Sequence, residues 1–277
     1  MSKTNGIRKY MRLERYPTIW CAGCGNGQVV GALLRAIDTM QLDPEKVVVV
    51  SGIGCSSRAS GYLNFNTLHT THGRPVAYAT GVKLANPELE VIVISGDGDT
   101  TAIGGNHFIH AARRNIGLKM FIFNNGIYGM TGGQCSPMTP NACHATTAPH
   151  GNLDTPFDIC ELAKAAGATY VARGVTYAPV KLEAMMLKAL QHDGFAVMDC
   201  ITQCPTYYGK INKRGGPVDM LQWQKEHTVS VEKAAALPSH AVKDKIVTGV
   251  FQKALRPEYT KLYRRLHDQC RKDECGD

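Results

Sequence analysis

The chain has 277 residues, of which 44% are apolar, and its 31 Lys and Arg residues outnumber its 23 Asp and Glu residues. This composition is ordinary for a globular protein with one large α/β domain or two small ones. The first twenty residues carry five basic side chains without the apolar stretch of a signal peptide. The longest aliphatic run, Val47 to Val50, is far shorter than the roughly 20 residues of a membrane span. Ten cysteines are too few for a small disulfide scaffold, so we expect a cytoplasmic protein that is neither secreted nor inserted in a membrane.

Short aliphatic runs alternate with stretches of helical spacing between residues 46 and 201. This alternation is typical of βαβ units, so we predict an α/β fold with a mainly parallel sheet and helices on both faces. Strands are predicted at residues 46–51, 91–95, 118–124, 168–173 and 195–201. Helices are predicted around residues 30–37, 103–112, 156–165 and 179–191.

Two segments depart from this alternation. Residues 126–152 are rich in Gly, Pro, Thr, Cys and His and have no period, which predicts a long functional loop. Residues 205–277 lose the core pattern, and we predict amphipathic helices near 241–255 and 257–270. The predicted division is an α/β domain over residues 1–204 and a helical extension over residues 205–277 that packs on this domain or on a partner subunit.

The extension is also basic, with 14 Lys and Arg against 9 Asp and Glu residues. An acidic partner protein and a merely solvated surface are both compatible with this surplus. We expect no nucleic-acid binding, because the sequence has no Cys/His finger, no basic and aromatic repeat and no RNP-like string.

Carboxylate and amide side chains follow two successive predicted strands. Gly96-Asp97-Gly98-Asp99 follows the strand at 91–95, and Asn125 directly follows the strand at 118–124. Open α/β sheets bind ligands where parallel strands end, and magnesium prefers oxygen ligands from one or two protein groups together with substrate phosphates. Asp97, Asn125 and the carbonyl group of Ile127 can supply three such oxygens. Gly96 and Gly98 would let the backbone approach a diphosphate.

These residues resemble a known family. Gly96-Asp97-Gly98 followed by Asn124-Asn125 closely resembles the thiamine diphosphate fingerprint. The longer string from Asn125 through Tyr128-Gly129-Met130 to Pro137 resembles the β subunit of 2-oxoacid:ferredoxin oxidoreductases, covering about residues 10–210. The resemblance implies the diphosphate-binding half of a thiamine-diphosphate-binding fold. It assigns a further set of residues to contacts with this cofactor: Ile53, Gly54, Cys55, Ser56, His72, Gly96, Gly98, Asp99, Tyr128, Gly129 and Met130.

Four cysteines lie at predicted loop positions. Cys21 and Cys24 form a CxxC pair before the first strand, Cys55 follows that strand, and Cys204 follows the last one. In the resembled family these positions hold a [4Fe–4S] cluster. A structural zinc ion is the alternative, whereas a thioredoxin-like redox pair is disfavoured because the CxxC pair precedes the strand.

The remaining cysteines are predicted to be free thiols. Cys200 lies inside a strand and is better explained as a small buried hydrophobe than as a cluster ligand. The others are Cys135, Cys143, Cys160, Cys270 and Cys275, of which Cys135 is ambiguous because it lies in the loop on the cofactor side.

Two side chains are candidates for substrate chemistry. Arg58 lies three residues after Cys55, and the family carries a basic residue there that faces the 2-oxoacid; pairing with a structural acid is the alternative. His72, in a segment that resembles the family's Thr-His-Gly-Arg, is predicted to contact thiamine or to shuttle protons. A packed, hydrogen-bonded histidine is the competing interpretation.

The resemblance implies a coenzyme A-dependent oxidative decarboxylation that delivers electrons to ferredoxin, with reversal possible in principle. We expect 2-oxoglutarate as the substrate, because Arg58 can hold its distal carboxylate, and pyruvate or another 2-oxoacid as the alternative. The family's pyrimidine domain, with its glutamate, lies on an α or fused γα subunit, so this chain should be inactive alone and act in a heterodimer. The different-class alternative is a non-enzymatic, zinc-stabilised α/β binding module.

Overall fold

The computed structural model describes residues 6–274, with side chains through residue 272. Its central feature is an eight-stranded sheet in the order β2-β1-β3-β4-β6-β5-β8-β7. Every neighbouring pair is parallel except β5 and β8, which are antiparallel. The strands are β1 (Val47–Ser51), β2 (Asn66–His69), β3 (Glu90–Gly96), β4 (Leu118–Asn124), β5 (Tyr170–Val175), β6 (Ala196–Ile201), β7 (Thr228–Ser230) and β8 (Ile246–Lys253). The predicted α/β class and mainly parallel sheet are confirmed.

Helices cover both faces of the sheet. They are α1 (Asn26–Met40), α2 (Pro75–Ala85), α3 (Asp97–Thr101), α4 (Gly105–Arg114), α5 (Ile159–Ala165), α6 (Pro179–Leu190), α7 (Pro217–His227), α8 (Val231–Ala235), α9 (Ser239–Val242) and α10 (Tyr259–Glu274). In this part of the chain no helix has the length and apolarity needed to cross a membrane.

Two hydrophobic cores lie on opposite faces of the sheet. Helices α1 and α6 pack with Ile92 and Ile94 on one face, while α2, α4 and α5 pack with Val91 and Val93 on the other. Successive residues of β3 thus enter different cores, as the period of two in a strand requires. This double burial explains why the central strands have near-continuous aliphatic sequences.

The predicted helix over residues 241–255 is wrong. Strand β8 occupies most of this range and pairs antiparallel with β5, so the C-terminal segment extends the sheet. Ile246, Val247, Thr248 and Val250 are β-branched and favour a strand, although the spacing of apolar residues suggested a helix. The last predicted helix is present as α10. The boundary after residue 204 remains a prediction.

Candidate functional site

The carboxyl ends of the parallel strands meet at one edge of the sheet, where a cavity of about 590 Å³ opens. Segments that follow β1, β2, β3 and β4 form its walls, which is the position where open α/β sheets bind ligands. The cavity is lined by all the residues assigned above to thiamine diphosphate or magnesium: Ile53, Gly54, Cys55, Ser56, His72, Gly96, Asp97, Gly98, Asp99, Asn125, Ile127, Tyr128, Gly129 and Met130. The fold therefore brings four distant segments of sequence around one space.

Part of the cavity wall was not predicted from the sequence. It consists of Phe123, Thr131, Gln134, Cys135 and Thr147. All but Phe123 belong to the predicted loop 126–152, whose residues are all described and form neither a helix nor a strand. The composition of this loop indicated function, but without periodicity it did not indicate which side chains face inward.

Asp97 begins α3 and is only 3% exposed. Burial raises the pKa of its carboxyl group to about 7, although hydrogen bonds from the Ser136 hydroxyl and from backbone N–H groups oppose this shift. The Ser136 hydroxyl donates to Asp97 Oδ2 at 2.5 Å. A buried carboxylate gains most from a nearby cation, so this position suits a metal ligand.

Asn125 lies next to Asp97, because its backbone N–H group is one of the donors to the Asp97 carboxyl group. Its own Oδ1 accepts a hydrogen bond from the backbone N–H of Ile127 at 3.2 Å, which fixes the turn after β4. The Asp97 carboxylate, the Asn125 amide and the Ile127 carbonyl are all hard oxygen donors. This donor set matches the ligand preference of magnesium.

Gly98 allows the segment after β3 to pack closely against the ring of Tyr128, which lies after β4. A Cβ atom at this position would lie 2.3 Å from the Tyr128 ring, so any larger residue would displace the ring. Burial raises the pKa of Tyr128 to about 12, and the negative charges of Asp97 and Asp99 add to this effect. Tyr128 is therefore a neutral phenol at physiological pH.

Asp99 connects three of the segments around the cavity and is 2% exposed. Its Oδ1 accepts hydrogen bonds from the backbone N–H groups of Gly73 at 2.7 Å and Ile53 at 3.3 Å, and lies 2.8 Å from His72 Nδ1. Its Oδ2 accepts a hydrogen bond from the Ser95 hydroxyl at 2.6 Å. The Asp99 carboxylate thus ties the segments after β1 and β2 to the end of β3.

The four predicted cluster ligands lie beside this cavity. The pKa of the Cys24 thiol is raised to about 12, mainly by burial, with a hydrogen bond from the Asn26 backbone opposing the rise and the nearby Cys204, Cys55 and Cys21 contributing to it. Burial likewise raises the pKa of Cys55 to about 11, with Cys204 and Cys21 adding to the shift. The four thiols are therefore close enough to interact electrostatically.

A loop residue connects the cysteines to the cavity. A Cβ atom on Gly129 would lie 3.6 Å from Cys204 Sγ and 3.7 Å from Cys55 Sγ. Gly129 also lines the cavity, between Tyr128 and Met130. The cavity wall at Gly129 therefore lies against two of the four sulfur atoms.

Three buried polar side chains near these cysteines lack a hydrogen-bond partner among the described residues: Asn26, Ser57 and Thr202. Each lies two positions from one of the four cysteines in sequence. Buried polar groups are rarely left unpaired, so this pattern marks a region that suits an additional polar group. Within residues 6–274, no three His, Cys, Asp or Glu side chains are arranged to ligate a single metal ion.

Arg58 differs from the other predicted site residues in its position. It belongs to the 3-10 helix Ser56–Tyr62, is exposed, and is not part of the cavity wall. Among the described side chains, no carboxylate forms an ion pair with it. Its guanidinium group is thus available to a partner or ligand that approaches beside the cavity.

The other cysteines fall into different environments. Cys200 and Cys160 are fully buried in the two cores, and Cys143 Sγ lies 3.3 Å from the Tyr208 hydroxyl group. Cys135 lines the cavity and Cys270 is exposed on α10. Those in the described chain are free thiols, as predicted, and Cys275 lies outside the described residues.

Comparisons with known proteins identify the family of the chain. The family model described as "Thiamine pyrophosphate enzyme, C-terminal TPP binding domain" matches residues 52–200. The chain is 49% identical over 265 residues to the 2-oxoglutarate synthase subunit KorB of Methanocaldococcus jannaschii, covering 96% of this chain and 98% of the relative. It is 44% identical over 190 residues to the β subunit of a 2-oxoacid:ferredoxin oxidoreductase of Saccharolobus solfataricus, covering 68% of this chain and 62% of the relative.

A solved structure is similar over nearly the whole chain. It is the 2-oxoglutarate:ferredoxin oxidoreductase from Magnetococcus marinus with 2-oxoglutarate, coenzyme A and succinyl-CoA bound. The TM-score is 0.85 with 31% sequence identity, and the match covers 95% of this chain and 90% of that chain.

Proposed function

The chain belongs to the β subunits of the 2-oxoacid:ferredoxin oxidoreductases, and from this membership we propose that it is the catalytic subunit of a 2-oxoglutarate:ferredoxin oxidoreductase. The proposed reaction converts 2-oxoglutarate and coenzyme A into succinyl-CoA and CO₂ and reduces ferredoxin. The observation that carries the proposal is the position of Gly129, which lines the cavity and lies against the sulfur atoms of Cys204 and Cys55. An electron acceptor held by these thiols would lie beside the site of decarboxylation.

The cavity residues fit thiamine diphosphate with magnesium. Burial raises the pKa of the Asp97 carboxyl group to about 7. A divalent cation bound to the carboxylate would offset the free-energy cost of burying its charge. Asn125 and the Ile127 carbonyl would complete the protein ligands. Gly96 and Gly98 line the cavity, where a backbone without side chains can approach the diphosphate oxygens.

The cysteine environment fits a [4Fe–4S] cluster. Four thiols are gathered from three segments, and a cubane has four iron atoms that each take one thiolate.

When bound, thiamine diphosphate supplies the nucleophilic carbon for cleavage next to the 2-oxo group, and the cluster accepts electrons one at a time. The chain's own residues bind and orient these groups. The Tyr128–Met130 segment lies beside both proposed sites, and the neutral Tyr128 phenol can donate a hydrogen bond into the cavity. Asp97 would place a negative charge beside the magnesium ion.

The partners and location belong to the proposal. The α subunit with the pyrimidine domain would close the open side of the cavity, and ferredoxin and coenzyme A are the proposed co-substrates. A cytoplasmic location remains a prediction. The test is anaerobic reconstitution with the α subunit, followed by assays of ferredoxin reduction and succinyl-CoA formation from 2-oxoglutarate. Absence of both products in a complex that holds thiamine diphosphate and iron would reject the proposal.

The zinc-stabilised binding module is tested in the same preparation. We expect a brown complex with about four iron atoms per chain, since a cubane contains four. Metal analysis that finds one zinc and no iron would support the binding module instead.

Arg58→Met tests the choice of substrate. If Arg58 holds the distal carboxylate of 2-oxoglutarate, the loss of a charge-assisted hydrogen bond worth roughly 1.5–3 kcal/mol should raise KM about ten- to a hundredfold. Pyruvate has no second carboxylate, so its kcat/KM should change much less. The measurement is the ratio of kcat/KM for the two substrates in the reconstituted complex.

Arg58→Lys is the matched variant, because it keeps the charge but loses the planar fork. An intermediate effect on 2-oxoglutarate alone is expected. Equal losses with both substrates would assign Arg58 to the shared carboxylate or to the loop around Cys55. If kcat/KM changes with neither substrate, Arg58 no longer supports 2-oxoglutarate as the substrate.

A further inference from the structure

A second cavity, of about 280 Å³, lies at the same edge of the sheet as the thiamine-binding cavity. The ends of β4 and β6, Arg173 of β5, helix α7 and the start of β8 contribute to its wall. The two cavities have only Asn125 in common. Pockets for small molecules typically measure roughly 300–1,000 Å³, so the second cavity suits a ligand at the small end of this range.

Aromatic and aliphatic side chains form much of the wall of the second cavity. Phe157 and Trp223 are 49% and 38% exposed, so a substantial part of each ring faces solvent. Tyr208, Met220 and Ile246 extend this apolar surface. A ligand with an aromatic ring would remove these groups from water and would also make the edge or offset contacts that aromatic rings favour.

The charged side chains in this wall are mostly basic. They are Arg173, Arg214, Lys245 and Asp199. The Asp199 carboxylate accepts a hydrogen bond from Arg173 Nε at 2.7 Å, so these two charges compensate each other. Among the described side chains, no carboxylate forms an ion pair with Arg214 or Lys245. Two positive charges therefore remain, and they favour a ligand with an anionic group.

Two hydrogen-bond donors of the wall are held in place by neighbouring groups. The guanidinium carbon of Arg214 lies 5.7 Å from the centroid of the Trp223 ring, and Arg214 Nη2 donates to Cys143 Sγ at 4.0 Å. Gln224 is only 3% exposed, and its Oε1 accepts a hydrogen bond from the backbone N–H of Tyr177 at 3.0 Å. The amide nitrogen of Gln224 has no acceptor in the part of the chain that the structure describes, so it is available to a ligand.

We propose that the second cavity binds a small aromatic carboxylate. The ring of the ligand lies against Phe157 and Trp223, and its carboxylate is bound by Arg214 and Lys245. Arg214 presents a planar fork that matches a carboxylate, and Gln224 offers a further donor. The proposal does not rest on the proposed function, because thiamine diphosphate and the 2-oxoacid belong to the other cavity.

Phenylacetate is the probe, because it joins one aromatic ring to one carboxylate. In the anaerobic complex with the α subunit, ligand-detected NMR should show saturable binding with a Kd of about 1 mM or below, as expected for a ligand of about ten non-hydrogen atoms. Neutral phenylacetamide and ring-free acetate should each bind at least about tenfold more weakly. Absence of saturable binding, or equal binding of phenylacetamide, would overturn the proposal.

Arg214→Met and Trp223→Ala test the position of the site. Both side chains are exposed, so both variants should fold. Loss of the charge-assisted hydrogen bonds in Arg214→Met should raise the Kd for phenylacetate about ten- to a hundredfold, and loss of the ring in Trp223→Ala should raise it about tenfold. Arg113→Met is the matched control, because Arg113 is exposed on α4 and lies outside this cavity wall. Unchanged affinity in Arg214→Met or in Trp223→Ala would contradict the proposal.

Competition separates this proposal from the proposed function. Saturating 2-oxoglutarate, thiamine diphosphate and magnesium should not displace phenylacetate, because they are expected in the other cavity. Displacement by any of them would place the probe in the thiamine-binding cavity and would overturn the proposal. Succinyl-CoA formation is measured in the same preparation, and its absence would reject the proposed function without affecting the binding of phenylacetate.

Discussion

Replacement of Asp97 by Ala is expected to lower the affinity for magnesium and thiamine diphosphate by at least an order of magnitude. The substitution removes the one charged ligand that the chain offers the metal, and it leaves the diphosphate charge less compensated. Asn125→Ala should weaken binding less, because it removes a neutral oxygen. Calorimetric titration of the complete complex measures both effects, and unchanged affinity in Asp97→Ala would refute the assignment.

The pH dependence of magnesium and thiamine diphosphate binding in the natural chain provides a second test of the role of Asp97. Only the ionised Asp97 ligates a metal, and burial raises its pKa from 3.8 to about 7. Affinity should therefore fall about tenfold for each pH unit below about 7 and level off above it. The same shift makes the unliganded chain less stable as the pH rises from about 4 to 7, because the unfolded state releases this proton first. Asp97→Asn should lack both trends and still fold.

Replacement of Cys204 by Ser is expected to abolish or strongly destabilise the iron–sulfur cluster. Cys204 is near Cys55 at the Gly129 backbone, and it lies directly before a π-helical turn, Pro205–Gly209. Backbone N–H groups of Tyr208 and Tyr207 hydrogen-bond its sulfur atom and oppose the rise in its pKa that burial causes. These donors favour the thiolate that a cluster requires. Iron and sulfide analysis of the anaerobic complex should show well below about four irons per chain.

Cys200 is the matched control. Its side chain is fully buried in the core that α1 and α6 form, where its thiol donates a hydrogen bond to the Met198 carbonyl at 3.6 Å. Cys200→Ser and the more apolar Cys200→Ala should keep the cluster, even if Ser at this position lowers stability by about 1–3 kcal/mol. Loss of iron in Cys200→Ala with retention in Cys204→Ser would move the fourth ligand to Cys200.

The central sheet was predictable because its strands are buried on both faces. The run 118–124 has the same bounds in sequence and structure, since every one of its residues is buried. Strand β2 was missed because Asn66–His69 contains one aliphatic residue and lies at the sheet edge, where nothing imposes an apolar pattern. The β-branched residues of β8 favour a strand, but its antiparallel partner β5 lies about 75 residues away in sequence, so the sequence did not reveal the pairing.

The cavity residues were predictable to the extent that they belong to contiguous motifs. Gly96 through Asp99 and Tyr128 through Met130 stand in short strings that indicate the cofactor. The role of Asp99 was not predictable in this way, because its partners Ile53, His72 and Gly73 come from other strand ends. The exposed position of Arg58 also depends on how the chain turns after Cys55, which no sequence pattern specified.

Strand β8 also determines where this chain can be shortened. Its antiparallel pairing covers the outer edge of β5, a strand buried on all six residues. A chain cut after residue 204 would expose this apolar edge with a row of unpaired backbone groups, which is a template for intermolecular pairing and aggregation. The basic C-terminal segment therefore has a protective role that its charge does not reveal, and expression of the cofactor-binding part requires the chain through at least Lys253.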